Sequence, residues 1–154
     1  MPHFGLIEPG IPEDEEALIR SRLHWKAGLI RLSRGMIADG IAVLYDALSS
    51  AMLRFVLSPD LKKELYLTDD DFSNLNLDDY LALFSILRRS GIIDDTYASN
   101  DFEDISAIAY NAIDGKLNDF NEVMYVSKIE HLLTQLRILP FEESELPQGE
   151  SITW

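Results

Sequence analysis

The chain has 154 residues, 47% of them hydrophobic and 26% charged, with no cysteine. That length suits one continuous core, and the missing cysteines exclude disulfides, thiolate nucleophiles and cysteine-ligated zinc. Its 27 acidic against 13 basic residues leave a net charge of −14, a field that repels phosphate backbones and disfavours nucleic acid as a partner.

Residues 1–12, MPHFGLIEPGIP, carry three prolines and two glycines without helical period. They predict an extended arm whose Phe4, Leu6 and Ile7 lie on the bundle or on a partner subunit. A basic leader with an apolar core is missing, and together with the absent disulfides this makes a cytoplasmic location the expectation. Pro12 followed by Glu13, Asp14, Glu15 and Glu16 is the chemistry of a helix N-terminus, where exposed N–H groups favour negative charge. A helix is predicted from there to Ser33, closed by Gly35. Leu18, Trp25, Leu29 and Leu32 form one apolar arc of it, and Ile19, Leu23 and Ile30 a second. On the remaining side Glu13, Glu16, Arg20, His24, Arg31 and Arg34 fall within a narrow angle. Two readings are open there: a cationic ligand site built on Arg20, His24, Arg31 and Arg34, or a solvated stripe steadied by the Glu16–Arg20 spacing.

Met36–Leu57, MIADGIAVLYDALSSAMLRFVL, places Ile37, Ile41, Leu44, Leu48, Met52 and Phe55 on one side of a helix. Only Asp39, Asp46, Ser50 and Arg54 remain as a polar strip, so this helix is expected to be central and to form an antiparallel hairpin with the first. The three charges among them interrupt any apolar run near the ~18 residues that cross a bilayer, and no membrane is expected. Asp39 and Asp46, two turns apart, either meet water or a neighbouring helix, or hold a metal such as magnesium.

Ser58-Pro59-Asp60 ends that helix and opens a short one at LKKELYL. TDDDFSNLNLDD has the composition of a calcium loop. With Asp69 as its first position, however, Asn74 replaces the required glycine and Tyr80 the bidentate glutamate, so an EF-hand is excluded. Asn76 and Asp79 have capping-box spacing for a helix over Leu77–Ser90, with Tyr80, Leu81, Phe84 and Leu87 inward and Arg88 and Arg89 at its C-terminal dipole. Asn100 and Glu103 have the same spacing for a helix through Ile105, Ile108, Ala109, Ala112 and Ile113 that stops at Gly115. Asn118 is expected to cap the last long helix, Asp119 to Leu139, on which Val126, Ile129, Leu133 and Leu136 recur at steps of three and four; Pro140 ends it. Residues 141–154 are expected to be a mobile acidic tail, anchored in part by Phe141, Leu146 and Trp154. With no β-type alternation, the class is all-α: one domain of four to six helices in an up-and-down-like bundle.

Inventory narrows the chemistry. No G-x-G occurs among the eight glycines, so there is no glycine-rich phosphate loop. Only His3, His24 and His131 could serve a serine triad, and no serine near them has a nucleophile-elbow pattern. Neither His24 nor His131 has a glutamate three residues before it, as a di-iron bundle requires. Glu13 and Glu16 match one E-x-x-E fragment of the helical nucleotide pyrophosphohydrolases, but the second motif is missing.

GLIRLSRGMIADGIAVLYDALSSAMLRFVL (Gly28–Leu57) resembles the helix pair of the HEPN domain family. In that family the second helix reads A-x-x-x-x-Y-x-A; here Ala38 through Ala42, Tyr45 and Ala47 stand near those positions. LDDYLALFSILRRSGI (Leu77–Ile92) resembles the helix after the family's polar link, and the likeness in helix order covers most of residues 15–138. The resemblance implies a helical bundle that forms a homodimer, with a protein partner such as a nucleotidyltransferase. Nuclease members carry R-x(4–6)-H. Here only three residues separate Arg20 from His24, and the nearest cation before His131 is Lys128, so no catalytic residue transfers. The expected function is a non-catalytic interaction module without cofactor, binding a partner protein or a small ligand. The alternative is a magnesium-dependent nucleotide hydrolase using Asp39, Asp46 and acidic neighbours.

Overall fold

A computed structural model describes residues 7–148, and all its regular structure there is helical. Six α-helices follow in order: α1 Glu13–Ser33, α2 Ile37–Leu57, α3 Asp69–Ser73, α4 Tyr80–Arg89, α5 Ser99–Ile113 and α6 Glu122–Gln135. The bundle class expected from the periodicities is therefore the observed one, and its organising half is the α1–α2 hairpin. Phe4, Leu6 and Trp154 lie outside the described residues.

The hairpin follows from its turn chemistry and from two glycines. Beyond α1, Gly35 adopts φ +79°, so Met36 N–H reaches the Arg31 carbonyl at 2.9 Å and Gly35 N–H the Leu32 carbonyl at 3.0 Å. This left-handed closure satisfies carbonyls that a helix end would otherwise orphan. The two helices then run antiparallel and cross at Gly28 and Gly40. A Cβ at Gly28 would sit 2.6 Å from the Leu44 side chain, and one at Gly40 2.7 Å from the Leu32 side chain. The Ser21 hydroxyl donates to the Ala47 carbonyl at 2.7 Å across the same interface.

Helix α2 is the core axis. Ile41, Leu44, Leu48, Met52 and Phe55 are fully buried, while Ile37 is half-buried. By length and composition α2 is apolar enough to cross a bilayer, despite the charges that break its sequence run; but 67% of its most apolar 18-residue window is buried inside the bundle. Helices α4, α5 and α6 close around it. Phe84 and Phe102 stack with centroids 4.9 Å apart, and the Tyr125 hydroxyl donates to the Ile41 carbonyl at 3.0 Å. Burying each such large side chain contributes about 1.5–3 kcal/mol.

Several helix ends depart from the expected ones, each because a different polar group does the capping. Asp79, not Asn76, caps α4 by accepting from Ala82 N–H; Asn76 instead accepts from Asp78 N–H in the preceding turn. At α5 the Asp101 carboxylate accepts from Ala98 N–H, so the helix begins at Ser99 and the Asn100–Glu103 box does not form. Asn121 rather than Asn118 caps α6 through Met124 N–H. Helix α6 also stops at Gln135, short of Leu139, because Arg137 takes the left-handed conformation, φ 63°, usually left to glycine. Glu64 holds the Arg137 guanidinium through two bonds of 2.7 and 2.8 Å. LKKELYL forms only a 3-10 turn at Leu61–Glu64, and Thr68 with Asp71 builds a capping box for the unforeseen α3. In the described part of the tail Glu143 meets Lys26 at 2.6 Å, Glu145 meets Arg22 at 3.4 Å, and Leu146 is buried.

Among the described residues, four carboxyls are held below the usual carboxylate range. Arg137 does this for Glu64, the Thr68 backbone N–H for Asp71, that of Thr96 for Asp94, and that of Ala98 followed by Lys128 for Asp101. A depressed carboxyl contributes stability that is complete above its unfolded value of about 4 and is lost as pH falls through its folded value. The thermal midpoint of wild type should therefore exceed that of Asp101→Asn at neutral pH, and the gap should narrow as pH falls below the unfolded carboxylate value of about 4. A gap unchanged across that range in circular-dichroism melts would contradict this.

Candidate functional site

Along the expected cationic stripe of α1, the structure separates the residues. His24 turns inward, 1% exposed, with its Nδ1 against the Asp46 carboxylate of α2. It is a buried hairpin contact and not part of a solvated stripe. Arg20 is half-buried and bonds Glu16 at 3.3 Å. It borders a cleft of about 290 Å³ with Glu13, Ser50, Leu53 and Asp78 among its walls. Arg31, half-buried, and Arg34, exposed at the α1 C-terminus, lie outside that cleft. Of the four, only Arg20 lines that cleft.

Asp39 is exposed while Asp46 is half-buried and occupied by His24. Among the described residues no three histidine, aspartate or glutamate side chains come together as a metal-binding group. His131 stands 3.7 Å from Asp94 with its ring edge-on to Tyr97.

The candidate site lies between α2, α4 and α5. It is a cleft of about 400 Å³ whose walls include Tyr45, Tyr80, Phe102 and Tyr110, with Asp78, Asp79 and Glu103 among them. Helix α2 supplies Tyr45 from its buried side, the first turn of α4 supplies Tyr80, and α5 supplies Glu103, Ser106, Ala107 and Tyr110. Those four recur at steps of three, one and three, one face of a helix. Tyr45 is pinned: its hydroxyl lies 3.0 Å from Ser106 Oγ, and its ring meets Tyr80 at 6.1 Å and Tyr110 at 5.8 Å, both edge-to-face. Such pairs add about 0.5–1.5 kcal/mol each beyond area burial.

Burial pushes the Tyr45 hydroxyl up to about 12, only partly offset by Ser106. Tyr80 is raised too, by burial first and then by the charges of Asp46 and Asp78. Both are thus neutral hydroxyls at physiological pH, able to hydrogen-bond a group held in the cleft. Sequence reasoning placed Tyr80 inward but passed over Tyr45, Glu103 and Tyr110 as a site. The available signal was the Glu103–Ser106–Tyr110 spacing, which mixes a charge, a hydroxyl and an aromatic on a helix otherwise patterned for the core.

Fold and site together define an all-α bundle with a lateral aromatic cleft. No family model, curated protein or solved structure matches the chain.

Proposed function

We propose that the protein is a non-catalytic binding module that receives its ligand in the cleft between α2, α4 and α5. The observation that carries this reading is the cleft itself. It is a concavity within the size range of small-molecule sites, walled by aromatic rings with a few polar groups among them. The Tyr45 and Tyr80 hydroxyls, both raised by burial, are neutral hydrogen-bonding groups among those walls. The long-hairpin-first order of the helices supports placing the module beside HEPN domains, and with that likeness comes a homodimer. A nucleotidyltransferase-type protein is then the natural partner, and the dimer operates without a cofactor.

A fragment screen followed by protein-observed NMR tests the site. Shifts should concentrate on Tyr45, Tyr80, Ser106 and Tyr110; hits that fall elsewhere, or none at all, would overturn it. Sedimentation equilibrium tests the dimer, which should show twice the 17.5 kDa chain mass; a monomer at all concentrations removes it.

A further inference from the structure

We infer that the ligand of the tyrosine cleft is a small organic cation carrying an alkylated ammonium group. This rests on the reading of the cleft as the ligand site, and it adds the ligand's chemical class.

Three features of the walls point the same way. The rings of Tyr45 and Tyr80 stand 79° apart and those of Tyr45 and Tyr110 61° apart. A group in the cleft is thereby bordered by aromatic surfaces of different orientation instead of one flat stack. Ring faces carry the negative end of the aromatic quadrupole, and cations close to them are attracted. The walls also hold three carboxylates, Asp78, Asp79 and Glu103, and no lysine or arginine. An anion there would meet only like charge, while a neutral apolar group would cover carboxylates without compensating them. Arg20, the cation whose field reaches Tyr80, is engaged by Glu16 outside the cleft walls. Finally, the −14 charge of the whole chain steers cations toward the surface and anions away from it.

An alkylated ammonium fits these walls better than a bare one. Its methyl groups spread the charge and lower the cost of leaving water, so contact with ring faces replaces hydration that was weak to begin with. Asp79 keeps its role as the α4 cap, which leaves Asp78 and Glu103 as the other carboxylates of the walls.

The test is an NMR titration of the intact protein with choline, and with the neutral analogue in which carbon replaces the ammonium nitrogen. Choline should bind at the cleft about tenfold more tightly than the analogue. Glu103→Gln and Tyr110→Leu, both at exposed positions, should each weaken choline by about three- to tenfold. Equal affinity for choline and the analogue would overturn the cationic assignment while leaving the cleft as a ligand site. No shifts at the cleft with choline, the analogue or any fragment would overturn both. Binding of a trimethyllysine peptide without binding of choline would overturn the small-molecule assignment in favour of a protein side chain.

Discussion

Replacing Gly28 with valine is expected to lower the unfolding free energy by about 3 kcal/mol, although Gly28 lies in a helix interior where glycine is intrinsically poor. Propensity alone predicts the opposite sign, since alanine there would gain about 1 kcal/mol. The crossing decides. A Cβ at Gly28 would stand 2.6 Å from both Cγ and Cδ2 of Leu44, with the Gly40 carbonyl oxygen at 3.3 Å. Leu44 is fully buried, so it has nowhere to swing, and the helices must separate or the leucine must leave its rotamer. Alanine should show a smaller loss than valine. Urea unfolding of Gly28→Val and Gly28→Ala, each in wild-type and Leu44→Ala backgrounds, measures the effect. Shortening Leu44 removes the obstacle, so the alanine penalty should vanish or change sign in that background. An identical penalty in both would show that the crossing is not what Gly28 serves.

That crossing also shows what can be learned from the chain before its coordinates. The pairing of α1 with α2 is legible because the 3.6-residue period is long, the N-terminal charges are concentrated in Glu13–Glu16, and Gly35 marks the turn; α1 matches its expected bounds. Gly28 and Gly40 carry no periodic signal, and their meaning appears only when the helices are placed side by side. The end of α6 was unreadable for a different reason. A left-handed terminus is ordinarily announced by glycine, and here Arg137 takes it with Glu64 holding the guanidinium from more than seventy residues away. The start of α5 went astray because a local carboxylate, Asp101, outcompeted the capping pair at Asn100 and Glu103. As for the site, Arg20, His24, Arg31 and Arg34 share a helical angle, but angle alone does not say which part of a helix face a neighbour covers. Helix α2 takes His24 and leaves Arg34 outside. The tyrosine cleft draws one tyrosine from each of three helices, with Phe102 of α5 beside them, and no spacing within a single helix encodes such a meeting.

Asp46→Leu is expected to destabilise the protein by about 2–3 kcal/mol, because it strips the facing carboxylate from a histidine that solvent does not reach. Asp46→Asn should cost less, about 1 kcal/mol, since its amide oxygen still offers the His24 ring an acceptor. His24→Leu combined with Asp46→Leu should fall short of the sum of the single changes, as partners that are removed together leave nothing unpaired. Denaturant unfolding of the four proteins gives the coupling directly, and additive losses would mean that the pair contributes nothing as a pair. A second consequence reaches the cleft. Asp46 is one of the charges that hold Tyr80 above its ordinary value, after burial. In Asp46→Leu the Tyr80 hydroxyl should therefore ionise at lower pH than in wild type while remaining raised by its burial. Site-resolved NMR titration of the tyrosine ring carbons reads that shift, and an unmoved Tyr80 would separate the hairpin pair from the cleft. The expected result makes Asp46 the residue through which both are joined. Its carboxylate faces His24 across the α1–α2 hairpin, and its charge raises Tyr80 in the cleft after burial has done so.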